Sequence, residues 1–412
     1  MQAEEDINID FSGHEALQNT LAYVEDLFGA DLPYSPGMTF VGARFSAGKA
    51  DGPEAGPDQR LALDESAVLS AGAADVDPKR GVFRCLGEVA ETLSQFSRFR
   101  PDKPELLPAR AADAEVAGRF SQTHGAGIAG AGWIRCREMP SGSEALVPAA
   151  LCYRDLCASV ESAAAFSTGC AAGQTLADAV HAATLELIER DAVASWWFGG
   201  APARRLDAGD VPGLPGIVSA MRAGRGERRL IFLDLTTEFA VPVIAAVSAD
   251  SEGRDMAFGF AARPERGEAA AAAVCELAQM EFANLLASAK RQRGLPLAES
   301  EAVLQDRCRE LSLQDGLFEE GSSTQTGETE SRLGGAEREQ PMDAKDLDTV
   351  LAAHGIERFV VDLTSPYLNV PVAKVICPGL QTIPVTFRTE RLKATLEKFG
   401  SRKGMAEKHR PI

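Results

Sequence analysis

The chain has 412 residues, 45% hydrophobic and 25% charged, with 42 Lys+Arg against 60 Asp+Glu and a formal charge of −18. That composition supports a large core and excludes a wholly disordered, collagenous or disulfide-scaffold chain. The acidic balance is opposite to that of most nucleic-acid binders, so no nucleic-acid partner is expected.

None of the 8 cysteines forms a Cys-x-x-Cys pair, and the 5 histidines are scattered, so no zinc site is expected. The start, MQAEEDINID, lacks the basic and apolar regions of a signal peptide. The apolar runs, such as Val241–Val247, fall far short of the ~20 residues that span a bilayer. A cytoplasmic protein with reduced thiols and no membrane partner is the expectation.

In chain order, residues 12–30 read as an amphipathic helix stopped by Gly29. Residues 47–77, rich in Gly, Ala and Asp, read as turns between short strands. Asp77-Pro78 pairs an N-cap residue with proline at the first helical position, which predicts a helix to about Ser94. Residues 99–114 read as a loop and Leu146–Tyr153 as a strand. Two further helices are predicted, Leu176–Trp197 and Arg266–Ala289. Residues 316–345 have little apolar periodicity and read as a flexible insertion. Leu392, Leu396 and Phe399 have helical spacing, so 390–399 can dock. Residues 388–412 carry 8 Lys/Arg against 3 Asp/Glu, a basic tail.

One internal echo stands out. RLIFLDLTTEFAVPVIAAV from Arg229 and RFVVDLTSPYLNVPVAKVI from Arg358 share a buried strand, Asp-Leu-Thr, a turn and a second strand opened by Val-Pro-Val. Each follows a predicted helix, Pro215–Ala223 and Leu347–His354. A reused helix–strand–turn–strand unit predicts a mixed α/β (α+β) domain, with parallel strands left open.

The glycines Gly125, Gly127 and Gly130 fit the G-x-G-x-x-G template, but neither a hydrophobic strand before them nor a helix after them is present, so they read as a mobile loop. No G-x-S-x-G elbow, HExxH or Walker loop occurs.

The informative stretch is Ser167–Ala192, STGCAAGQTLADAVHAATLELIERDA. Gly169 and Gly173 precede a helix N-terminus, where backbone N–H groups can hold an anion. At 100° per residue from Asp178, Glu189 falls at ~20° and Glu186 at ~80°, opposite an apolar stripe. Carboxylates sharing a face suit Mg²⁺ beside nucleotide phosphates. The same pattern also suits a solvated acidic face, and Thr175-x-x-Asp178 resembles a capping box. Glu88 and Glu91, three apart beside Arg84 and Gln95, and Glu276 with Gln279, repeat the theme on the other two helices.

Taken together these residues resemble the YcaO family of ATP-dependent enzymes that activate peptide backbone amides. The signature stretch carries the resemblance. LGEVAETLS, the Glu276–Gln279 segment and NVPVAKVICPGLQ follow in the family's order, over about residues 12–387. The resemblance implies a YcaO-type fold around an ATP/Mg²⁺ site lined by carboxylate-bearing helices, with a catalytic domain over 1–390 and the basic tail over 391–412. It implies Glu88, Glu91, Asp178, Glu186 and Glu189 as Mg²⁺ ligands. It implies His14, Thr20, Gln174, Arg190, Glu276 and Gln279 as nucleotide contacts. His14, Thr92 and Glu281 depart from the residues common at those positions (Lys, Arg and Arg), and the end, His409-Arg410-Pro411-Ile412, departs from the proline-rich tail of peptide-cyclising members.

The implied activity is cyclodehydration of Cys, Ser or Thr to thiazoline or oxazoline in a ribosomally made precursor peptide. Peptide thioamidation and a degenerate scaffold role are the alternatives. The implied partners are the precursor peptide, a separate leader-peptide-binding protein and a flavin-dependent azoline dehydrogenase. Homo-oligomerisation is left open.

Overall fold

The computed structural model describes residues 11–47, 68–100, 104–108, 116, 118–120, 128, 132–156, 167–298, 301–303, 306, 310–314, 318, 344–383, 385 and 387–400. Three antiparallel sheets carry the described strands. The first is a meander of β1 (Val24–Asp31), β2 (Thr39–Ser46) and β3 (Val68–Asp75). The second has the order β5-β4-β11-β12-β6, from β4 (Trp133–Met139), β5 (Glu144–Pro148), β6 (Cys170–Ala172), β11 (Arg358–Asp362) and β12 (Val372–Ile376). The third has the order β10-β9-β8-β7, from β7 (Arg204–Leu206), β8 (Arg229–Asp234), β9 (Val243–Ala249) and β10 (Ala257–Ala262). The helices are α1 (Glu15–Thr20), α2 (Pro78–Ser94), α3 (Leu176–Trp197), α4 (Leu214–Arg222), α5 (Arg266–Gln292), α6 (Ala344–Ala353) and α7 (Glu390–Phe399). No described strand pairs in parallel.

Local chemistry explains the helix starts. The Asp77 side chain accepts from the Lys79 N–H ahead of α2, with Pro78 at the first position. Thr175 and Asp178 form a complete capping box on α3.

The predicted helix over 12–30 is corrected. Only α1 and one turn of 3₁₀ helix form, and Val24–Asp31 is a strand paired with β2 from Phe45 to Thr39. Pairing with a partner strand overrides a short helical period. Gly29 lies inside that strand opposite Val41. The strand expected over Leu146–Tyr153 ends at Pro148 and turns into a 3₁₀ segment over Ala149–Leu151.

The two echoed segments form matching hairpins. Asp234 Oδ1 accepts from the Thr236 N–H at 2.9 Å, and Asp362 Oδ1 from the Thr364 N–H at 2.8 Å. Thr236 and Thr364 hydroxyls then accept from the Val243 and Val372 N–H groups, each at 3.2 Å. The hairpins sit in different sheets, so the same turn chemistry recurs at two places in the fold.

The core lies between the sheets and α2, α3 and α5. Trp196 and Trp197 are buried in it, edge-on to each other and packed on Phe260 and Phe258. Most of the insertion expected over 316–345 lies outside the described residues, as does the Gly125–Gly130 loop. Of the 316–345 stretch, Phe318 packs on Trp196 and Phe258, and α6 begins at Ala344.

Candidate functional site

Three strands feed three helices: β3 leads into α2, β6 into α3, and β10 into α5. Each of these strands is the last in its sheet. An edge strand leaves backbone donors and acceptors without a strand partner, and they must be answered otherwise. Here the answers come from polar side chains on the three helices. On β3, the Gly72 N–H donates to Glu88 Oε2 at 3.4 Å, and Arg84 donates to the Ala74 carbonyl at 3.1 Å. The Gln279 amide, in the orientation that satisfies both its atoms, donates to the Gly72 carbonyl and accepts from the Ala74 N–H at 3.2 Å. Ahead of β6, the Gly169 N–H donates to Glu186 Oε2 at 2.9 Å. On β10, the Ala262 N–H donates to Glu189 Oε2 at 3.1 Å, and Glu276 is bonded to the Phe260 backbone.

Four carboxylates are thus tied to backbone at or beside the open edges, and Glu91 shares their electrostatic neighbourhood. Glu88 has a large accessible surface, yet it is walled by protein. Desolvation, opposed by the Gly72 N–H and Arg84 and aided by Glu276 and Glu186, pushes it up to about 7. Desolvation, then Glu186 and Glu88, holds Glu91 well above the usual carboxylate range. Burial also raises Glu189 and Glu276, against the pull of Arg190. Arg190 bonds Glu186 at 3.4 Å and Glu189 at 3.1 Å. Burial opposes its charge, but Glu189, Glu186 and Glu276 outweigh that and keep it firmly cationic. Gathering like charges in a low-dielectric site is costly, and it is relieved when cations enter.

The other residues singled out in the sequence have the following places. Asp178 is held in its capping box by the Thr175 N–H and hydroxyl at 3.0 and 2.8 Å. It shares a helical face with Glu186 but sits eight residues earlier, about 12 Å along the axis, a height that a helical wheel does not show. Gln174 is exposed in the turn between β6 and α3. His14 stacks on Phe83 with ring centroids 4.2 Å apart. Thr20 is buried at the end of α1, its hydroxyl without a described partner. Gln279 uses its amide on the β3 edge.

Glu281 points away from the cluster. It pairs with Arg222 at 2.8 Å and Arg228 at 3.2 Å and accepts from the Ser35 hydroxyl at 2.9 Å. Glu281, expected as a departure from Arg at this position, is built into a buried Arg222–Glu281–Arg228 group.

Sequence reasoning passed over Arg263, Arg154 and Lys374. Arg263 acts on Glu189 and Glu276, while Arg154 and Lys374 act on Glu91. Lys374, a single charge inside the apolar run Val370–Ile376, carried a legible signal.

The donor set fits Mg²⁺ and a polyphosphate: hard carboxylate oxygens for the ion, guanidinium groups for phosphate. Among the described residues, no group of three or more His, Cys, Asp or Glu is placed to hold a metal ion by itself. Mg²⁺ in nucleotide sites takes one or two carboxylates and completes its shell with phosphate and water.

Comparison with known proteins gives the site its context. Residues 86–381 match a family model described as YcaO cyclodehydratase, ATP- and Mg²⁺-binding. No curated protein matches the chain. Among solved structures, a heterocyclase in complex with substrate and cofactor is similar at TM-score 0.66 and 20% identity, covering 94% of this chain. This chain spans only 55% of that protein's length. YcaO from Methanopyrus kandleri bound with AMPPCP and Mg²⁺ is similar at TM-score 0.57 and 17% identity, covering 91% of this chain and 92% of that one. The E. coli microcin synthetase McbBCD complex is similar at TM-score 0.60 and 15% identity, covering 86% of this chain and 88% of the other. The described helices include none long and apolar enough to cross a membrane.

Proposed function

The chain belongs to the YcaO family, whose cofactors are ATP and Mg²⁺, and on that premise we propose that it cyclodehydrates Cys, Ser or Thr residues of a ribosomally made precursor peptide. The observation that supports this most is the convergence of Glu88, Glu186, Glu189 and Glu276 from three helices at the open edges of three sheets, with Glu91 in the same electrostatic neighbourhood.

In this reading Glu88, Glu91, Glu186 and Glu189 hold Mg²⁺, and Arg190, pinned by Glu186 and Glu189, faces phosphate. Glu276 balances Arg190, Arg263 and Arg84. When bound, ATP supplies the phosphoryl group that carries off the amide oxygen as phosphate once a peptide thiol or hydroxyl has attacked that carbonyl. The protein's part is to position and to neutralise charge, as in other phosphoryl transfers, so no protein nucleophile is needed. The backbone hydrogen bonds that hold Glu88, Glu186 and Glu189 pre-set most of the cradle before any cation arrives. Solved relatives include the microcin synthetase complex with its pro-peptide bound, which supports a precursor peptide and protein partners here: a leader-binding protein and an azoline dehydrogenase.

The test is reconstitution with Mg²⁺–ATP, a Cys/Ser/Thr-rich precursor peptide and a leader-binding partner protein sought among the neighbouring genes, read by intact mass. Loss of one water per modified residue is expected. A gain equal to sulfur replacing oxygen would mark thioamidation instead, and an unchanged peptide would sink the enzymatic reading.

A further inference from the structure

Lys374 stands on β12 within Val370–Ile376, where its neighbours are buried apolar residues, and it is itself only 3% exposed. A buried ammonium is expensive unless it finds strong acceptors. Lys374 Nζ donates to the Thr168 carbonyl at 2.6 Å. The next N–H along the chain, that of Gly169, donates to Glu186 Oε2 at 2.9 Å. The Thr168 carbonyl and the Gly169 N–H belong to the same peptide group, which is planar and rigid. One amide therefore bridges Lys374 to Glu186.

That amide has no freedom to shift. Gly169 sits at φ +81°, and a Cβ there would lie 2.5 Å from the Val375 carbonyl and 3.1 Å from the Leu187 methyls. The Val375 N–H, one residue beyond Lys374, donates to the Gly169 carbonyl at 2.7 Å. Lys374 and its own strand thus grip both peptide groups around Gly169. A cation on an amide oxygen also polarises that amide, which strengthens the N–H as a donor on the other side. The arrangement suits a carboxylate that must hold its place in a crowd of like charges.

We propose that Lys374 is a positioning residue which fixes Glu186 for Mg²⁺ through the Thr168–Gly169 peptide. The proposal rests on the reading of Glu186 as a Mg²⁺ ligand. Lys374 touches neither the ion nor the peptide substrate in this scheme; it holds Glu186 in place through the amide, and its charge also acts on Glu91. Outer-shell partners of metal ligands commonly set affinity by about 10–100-fold.

The experiment measures the Mg²⁺ dependence of AMPPCP binding by titration calorimetry on the full chain, with no turnover involved. Lys374→Met keeps the apolar stem and removes the charge; Lys374→Arg restores a cationic donor and serves if the Met variant does not fold. Folded Lys374→Met should need about tenfold more Mg²⁺ for half-saturation, and Lys374→Arg should recover part of that loss. The decisive readout is coupling. If Lys374 works mainly through Glu186, then Lys374→Met added to Glu186→Gln should cost clearly less than it does alone, whereas independent effects would add in full. Wild-type Mg²⁺ dependence in Lys374→Met, or additivity in the double variant, overturns the positioning role. Wild-type dependence in Glu186→Gln alone shows instead that the ligand reading has failed, and the proposal falls with it.

Discussion

The docking of α7 on α3 offers a sharp perturbation. Arg391 Nη2 and Nε reach Asp191 Oδ2 at 2.8 and 3.2 Å, and Nη1 reaches Glu238 at 2.5 Å. The guanidinium lies 4.6 Å from the Phe239 ring centroid. The Asp191 side chain is 0% exposed and that of Arg391 23%. Breaking a buried pair by removing one partner costs about 3–5 kcal/mol, because the other charge stays behind. Asp191 keeps one donor, the Gln381 N–H at 2.8 Å, and Arg391 is partly wet, so Arg391→Met should cost about 3 kcal/mol, the low end of that range. Every 1.4 kcal/mol is tenfold, so α7 should open about a hundredfold more often. Because Leu392 is the one fully buried residue of α7, the cost appears first as local opening rather than global unfolding. Hydrogen–deuterium exchange over 390–399 reads it directly. Asp191→Asn in the Arg391→Met background removes the stranded charge and should slow that exchange again. Unchanged exchange in the single variant, or faster exchange in the double, would refute the assignment of this pair as the helix's anchor.

Three further outcomes are expected. Glu189→Gln is nearly isosteric, keeps an acceptor for the Ala262 N–H and should fold normally, yet it should abolish Mg²⁺-dependent AMPPCP binding; calorimetry showing intact binding contradicts its ligand role. Gly169→Ala forces a Cβ into the left-handed region and against the Val375 carbonyl, so its urea midpoint should drop by the equivalent of about 2 kcal/mol or more. Glu281→Gln leaves Arg222 and Arg228, 7% and 4% exposed, facing a neutral amide, a loss of about 3 kcal/mol that chemical denaturation would register and that an unmoved midpoint would disprove.

Much of this protein was legible from residue order alone. The starts of α2 and α3 follow from Asp77-Pro78 and Thr175-x-x-Asp178, since capping is local chemistry between residues two or three apart. The Asp-Leu-Thr hairpins could be paired by eye because the same side chain-to-backbone bonds recur within each turn. The family followed from the signature helix. Val24–Asp31 escaped, because its helical spacing is outweighed by a partner strand that local pattern cannot display.

The site itself belongs to tertiary structure. Spacing placed Glu88, Glu91, Glu186, Glu189 and Glu276 on helix faces, but their meeting depends on β3, β6 and β10 each ending a sheet. Unanswered backbone groups on those edges demand polar partners, and the three helices supply them. The same requirement sends the Gln279 amide to the β3 edge, while the capping box keeps Asp178 at the far end of α3. Lys374 is the plainest case. In sequence it is one charge in an apolar strand; in the fold it grips the peptide that holds Glu186. Local sequence determines which residues can cap, turn and pair with near neighbours. Only the packed sheets decide which distant carboxylates must share one space, because that depends on where backbone hydrogen bonding runs out.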